Sequence, residues 1–277
     1  MEGTSSLTVP DGSGRRLAWR TVGDGPPLLL VNGYAATAAD WDPAFLAGLS
    51  GTRTALLPDN RGMGASDPGD LAGMTVGSLA ADLEVLLGHL AVDRLPVAGW
   101  SMGGMIAQEL AARSPGRVSA LVLLSTDAGG SSAVRAPAST WARLVDHSGS
   151  PRDQATRLLS LLFPPDVAPH IDRLFGEVVA EARAGLSTEV LDAQERALDA
   201  WHADGPGGPS PVPAVRPPVL VATGTEDQVV PPANARLVAD RWGTDRVEAV
   251  EGSGHAVMAQ EPVLLAAAVR DFVDAHP

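Results

Sequence analysis

The sequence predicts an α/β fold: a mostly parallel, eight-stranded sheet with helices on both faces and a block of helices inserted after the sixth strand. Three observations predict it. Eight short apolar or alternating runs recur along the 277 residues, helical patterns separate the later ones, and the alternation breaks off once, between Ser125 and Pro218. Strands joined through helices run parallel, and a sheet built that way is covered on both faces.

The strand-like runs lie at 6–9, 16–21, 27–32, 54–58, 95–100, 118–125, 218–223 and 246–250. Helical patterns fall at 76–90, 102–113, 233–242 and 262–275. Inside the break, 139–145, 152–163, 168–185 and 188–203 read as helices separated by Gly and Pro, and a Gly/Pro-rich stretch at 205–218 closes it. Amphipathic helices of this kind need a partner surface, so they are expected to lie against the sheet domain rather than fold alone. The expected division is a core of residues 1–128 and 215–277 and a helical insertion of residues 129–214.

The run Val97-Ala98-Gly99-Trp100-Ser101-Met102-Gly103-Gly104 reads G-x-S-x-G at a strand-to-helix boundary. A serine hydroxyl is a weak nucleophile until a base activates it and a sharp turn exposes it. Such a turn brings the backbone close to neighbouring elements on both sides, which places Gly99 and Gly103 around Ser101. The pattern alone is short enough to arise by chance. Its context is the one the motif requires: an apolar run before it and a proline-free helical stretch after it.

In chain order, an acid and then a histidine should follow, each on a loop after a later strand. His255 lies behind a Gly-Ser-Gly turn, after the last strand-like run. Of the six histidines, His89 lies in a helical pattern, His147, His170 and His202 in the insertion, and His276 at the end. For the acid, Asp227 has the right order and loop; its plainer role is an Asx-type turn after a strand. Glu226 is adjacent, and Asp127, after the run 118–125, is the competing candidate.

With these residues in place the chain resembles the α/β-hydrolase superfamily over nearly its whole length. Leu28-Leu29-Leu30-Val31-Asn32-Gly33-Tyr34 resembles the strand and oxyanion loop, and Asp59-Asn60-Arg61-Gly62-Met63-Gly64-Ala65-Ser66 the D-x-R-G-x-G-x-S loop. Gly254-His255, followed by Gln260-Glu261-Pro262, resembles the histidine loop leading into the last helix. One departure stands out: Asn32-Gly33 replaces the usual His-Gly, and Asn can still bond nearby backbone to keep the loop's shape. The resemblance implies a serine esterase, lactonase or perhydrolase-like enzyme whose helical insertion is a cap that shapes the substrate pocket and excludes water. It implies Ser101, Asp227 and His255 as catalytic triad, with the backbone amides of Met102 and Tyr34 as oxyanion hole.

Trp100, Tyr34, Val229, Val257 and Trp141 are expected at the pocket wall, though Trp100 can equally serve as packing and a cap aromatic such as Trp141 more often does. Arg61 and Asp59 are expected to hold their own loop through backbone bonds. Apolar walls with few charges suit a small hydrophobic ester or lactone better than a peptide. Serine at position 101 argues against dehalogenase and epoxide-hydrolase relatives, which would carry aspartate there. C–C bond hydrolysis, perhydrolysis and cyclisation or lyase chemistry remain open to the same triad, as does a ligand-binding protein on the same scaffold.

Composition narrows the alternatives. The 20 basic residues are all arginine, so Schiff-base and P-loop lysine chemistry are excluded, and the absence of cysteine excludes disulfides and thiolate catalysis. A net charge of −13 argues against nucleic acid or an anionic membrane as partner. No histidine spacing suggests a metal, and no cofactor is expected. Residues 1–16 carry no apolar h-region and no run approaches a membrane span, so the expected setting is cytoplasmic, as monomer or homodimer. Apolar residues make up 45% of the chain, enough for a sizeable core.

Overall fold

The computed structural model describes residues 4–10 and 13–277; the expected ranges 1–128 and 1–16 therefore extend over a few residues outside it. The central strands β3 (Pro27–Val31), β5 (Leu95–Trp100), β6 (Val118–Leu124) and β7 (Val219–Gly224) are almost wholly buried apolar runs, as strands covered on both faces must be. With β1 (Ser5–Thr8), β2 (Arg16–Val22), β4 (Thr54–Pro58) and β8 (Val247–Val250) they form one eight-stranded sheet in the order β1-β2-β4-β3-β5-β6-β7-β8. Pairing is parallel from β4 to β8, and β2 is antiparallel to both β1 and β4.

Successive residues of one strand feed different cores. Leu29 and Val31 join a cluster with α2 (Val76–His89), α3 (Met102–Arg113) and α8 (Ala233–Trp242). Leu28 and Leu30 join a second cluster with α1 (Pro43–Ser50), α9 (Val257–Gln260) and α10 (Pro262–Asp274). The period-2 alternation of a strand thus supplies both helical layers.

Helix starts follow local chemistry. Thr75 caps α2 reciprocally with Ser78, and Asp42 with Pro43 starts α1. That helix and α9 are additions to the elements legible in the sequence; the other helices begin and end within two residues of expectation.

Between β6 and β7 lie α4 (Ala138–Leu144), α5 (Pro151–Leu162), α6 (Ala168–Ala184) and α7 (Thr188–Trp201). Helices α5 and α6 pack on one another, whereas α7 sends Ala193, Ala197, Leu198 and the fully buried Trp201 into the first core cluster. No helix among the described residues is long and apolar enough to cross a membrane.

The Asp59 loop is held from both sides. Asp59 accepts from the amides of Ala38 and Ala65, and Arg61 donates to the carbonyls of Asp70 and Ser78. Arg61 also grips buried Asp82 of α2 with two bonds of 3.0 Å, and Arg15 meets the same carboxylate at 2.6 Å. Asp82→Ala would leave two buried guanidinium groups without their carboxylate. Its expected cost is about 3–5 kcal/mol of stability, measured by denaturant unfolding. A loss under about 1 kcal/mol would mean that water replaces the acid.

Candidate active site

Five strands deliver their following loops to the same carboxyl edge of the sheet, where open α/β sheets place their ligand sites. Strand β3 leads into Asn32–Thr37, β5 into Ser101, β6 into Asp127, β7 into Asp227 and β8 into His255.

Ser101 sits between β5 and α3 with φ +56° and ψ −125°. A non-glycine residue there stores about 1–3 kcal/mol of strain. The surroundings hold it: its amide donates to Leu124 O at 2.9 Å, and its carbonyl accepts from Thr126 Oγ1 at 2.7 Å. A side chain on Gly99 would overlap the carbonyl of Gly103, and one on Gly103 would overlap those of Val31 and Asn32. The flanking glycines are thus required by close backbone approach, as the motif demands.

His255 Nδ1 lies 2.8 Å from Asp227 Oδ2, and both side chains are buried. The other Asp227 oxygen accepts from the amides of Val229 and Val230 at 2.9 and 2.8 Å, which fixes the carboxylate's direction. Trp100 donates its indole N–H to His255 O at 3.0 Å, and its ring lies against the imidazole. Ser101 and His255 border one cavity, with no hydrogen bond between their side chains among the described residues. Such bonds are often long before substrate arrives.

Asp127 is committed elsewhere. Its Oδ1 accepts from Gly129 N and Trp201 Nε1, both at 2.9 Å, and its Oδ2 faces His202 Nε2 at 2.9 Å. The acid after β6 therefore ties its loop to the end of α7 and, among the described residues, makes no hydrogen bond with His255.

Asn32 Nδ2 donates to Pro58 O at 2.7 Å, while Asn32 O accepts from Asn60 Nδ2 at 3.0 Å. The asparagine thus binds its loop to neighbouring backbone and side chain. Neither Tyr34 N nor Met102 N is spent on a protein acceptor among the described residues. Ala35, next in the loop, has φ +55°. The Tyr34 hydroxyl donates to Glu195 Oε1 at 2.7 Å, and burial, then that carboxylate, raises its pKa far above the ordinary phenol value.

Two cavities, of about 40 and 50 Å³, meet at Ser101, Tyr34, Leu144 and Val229. Trp141, Met105, Leu198, Asp127 and His202 help to line the first; Trp100, Asp40, Leu158, Leu162 and His255 help to line the second. Burial lifts the Asp40 carboxyl above the usual carboxylate range, against hydrogen bonds from Thr37. Of the residues expected at the pocket wall, Tyr34, Trp100, Val229 and Trp141 lie there. Val257 does not: it opens α9 and is fully buried in the second core cluster, turned inward by the helix that follows the histidine.

Gln194 and Glu195, which reach the Ala35 amide and the Tyr34 hydroxyl from α7, carry no local sequence signal. Both positions look like ordinary helix residues, and about 160 residues separate them from their partners. His147, Asp192 and Glu195 bring ligand-type atoms within 4.8 Å of one another. His147 and Glu195 are hydrogen-bonded to each other at 2.9 Å, and Glu195 to Tyr34.

A sheet of this topology with a strained serine after β5 is the frame of an α/β hydrolase, and the alpha/beta hydrolase fold family model matches residues 26–262; the chain belongs to that family. Among its relatives is the protein named "Putative carbamate hydrolase RutD" from Variovorax paradoxus, 27% identical over 90% of this chain and 92% of that protein. A pimeloyl-[acyl-carrier protein] methyl ester esterase from Neisseria meningitidis is 31% identical over 64% of this chain and 56% of its own length. The enol-lactonase from Burkholderia xenovorans superposes with a TM-score of 0.77 at 25% identity, covering 98% of this chain and all of that one. The chain is thus a hydrolase-family protein similar to enzymes named for ester, lactone and carbamate cleavage.

Proposed function

We propose that the protein is a serine hydrolase that cleaves a small, largely apolar carboxylic ester or lactone through an acyl-enzyme on Ser101. The observation that carries this reading is the buried Asp227–His255 pair, 2.8 Å apart, sharing a cavity with a serine held in a strained turn. Asp227 fixes the imidazole with its Nδ1 proton directed at the carboxylate, leaving Nε2 as base. His255 takes the proton of Ser101 as Oγ attacks the carbonyl and returns it to the leaving oxygen. Water then cleaves the acyl group by the same route. The free amides of Tyr34 and Met102 receive the oxyanion. The relatives named as methyl ester esterase, enol-lactonase and carbamate hydrolase support acyl transfer and make short carbamates worth assaying beside esters.

In this reading the inserted helices α4–α7 are the cap, and Trp141, Leu144, Leu158, Leu162 and Leu198 are its apolar contribution to the pocket. The two cavities are narrow, about 40 and 50 Å³, so the acyl group they admit is short. On p-nitrophenyl esters from acetate to octanoate, kcat/KM is expected to peak between acetate and butyrate and fall at least tenfold by octanoate. An optimum at octanoate would overturn this narrow pocket as the working one, and no turnover on any ester, lactone or carbamate would overturn the hydrolase reading.

A further inference from the structure

We infer that Gln194, on inserted helix α7, is a positioning residue that sets the oxyanion loop by holding the Ala35 amide. The inference rests on the hydrolase reading above and adds a residue to it. The loop is anchored at its start by Asn32 and Asn60, and past Thr37 by the bond from Ala38 N to Asp59. Between those anchors, the polar ties of Tyr34 and Ala35 run to inserted residues. Ala35 N donates to Gln194 Oε1 at 2.9 Å, and Tyr34 OH donates to Glu195 and lies 3.4 Å from His147 Nε2.

The Ala35 N–H belongs to the peptide plane that follows Tyr34, so its bond fixes the plane next to the one carrying the Tyr34 amide. Ala35 is held at φ +55°, which an alanine adopts only against strain. Without the glutamine, that plane is free to rotate toward an ordinary conformation and carry the Tyr34 N–H with it.

Gln194 is suited to the task because it does not move with a loose lid. Its side chain is fully buried, and its helix is pinned further along by Trp201 and His202 on Asp127 and by Gly130 N on Trp201 O. Its Nε2 has no hydrogen-bond partner among the described residues, so the side chain's one polar tie is the oxygen that holds the loop. A leucine of similar size would satisfy packing better and lose only the acceptor, which makes the substitution a clean test.

The experiment compares wild type, Gln194→Leu and Ser101→Ala on p-nitrophenyl acetate, with inhibition by a short trifluoromethyl ketone and thermal unfolding. The expected result for Gln194→Leu is a 10- to 100-fold lower kcat with KM within about threefold, because misplacing a catalytic group by about 1 Å costs up to ~10². Affinity for the ketone falls by the same factor as kcat/KM. A merely structural role would lower Tm and leave ketone affinity unchanged, and that outcome overturns the inference, as does a kcat within twofold of wild type. Should Gln194→Leu fail to fold, Gln194→Met, unbranched like glutamine and close to it in size, removes the same acceptor from the Ala35 amide; the same parallel loss is expected, and an unchanged kcat overturns the inference. Turnover that survives Ser101→Ala sinks the hydrolase reading and this inference together, whereas normal Gln194→Leu beside an inactive Ser101→Ala sinks this one alone.

Discussion

Ser101→Ala is expected to lower ester turnover by a factor on the order of 10⁶, the loss seen when a serine protease gives up its nucleophile. Little else should change. The hydroxyl makes no hydrogen bond with the protein among the described residues, and the bonds that hold the turn run through the Ser101 amide and carbonyl, which alanine keeps. Thermal unfolding should therefore stay within about a degree of wild type, since a kcal/mol moves a domain of this size by about 2–4 °C. A fluorophosphonate should label wild type stoichiometrically and the variant not at all. Near-normal turnover by Ser101→Ala would remove the acyl-enzyme and, with it, every role assigned around it.

How far the sequence alone reaches depends on the length scale of the cause. Strand β5 and helix α3 have the expected limits because a buried parallel strand is a continuous apolar run and the glycines around Ser101 are dictated by contacts within a few residues. The mostly parallel pairing of the sheet follows from the same regularity. Helix α1 was less visible: eight residues, mostly apolar all round, with Gly48 where α10 brings the Ala266 methyl too near for a side chain. Its only local sign was Asp42 before Pro43. Val257 was misplaced because two residues beyond His255 lies a helical turn rather than a continuing loop. Gln194 was beyond reach altogether, since nothing near it in the chain signals a peptide amide in the oxyanion loop. The reactive residues are written locally; the residues that hold them still are written in the tertiary structure.

That distinction separates the two buried acid–histidine pairs, and the same substitution should affect them very differently. Asp227→Asn keeps the oxygen that accepts from Val229 and Val230, so the loop stays in place. It sets an amide N–H against His255 Nδ1, which must then accept, and the ring proton moves to Nε2. A ring protonated there cannot take a proton from Ser101, and turnover should fall about 10⁴-fold, as the wrong tautomer costs in a serine protease. Asp127→Asn also keeps the oxygen that accepts from Gly129 and Trp201. Here the new amide meets a different ring: His202 Nδ1 lies 2.8 Å from Leu198 O and so donates to it, which leaves Nε2 ready to accept from asparagine. Every group keeps a partner, and turnover should stay within about tenfold of wild type. Asp127→Ala, by contrast, orphans the Trp201 and Gly129 donors at about 1–3 kcal/mol each, so it should unfold several degrees lower. If Asp127→Asn instead abolished turnover and Asp227→Asn spared it, the acid would have to be reassigned to the loop after β6, and the His255 partner seen here would be no more than a structural contact.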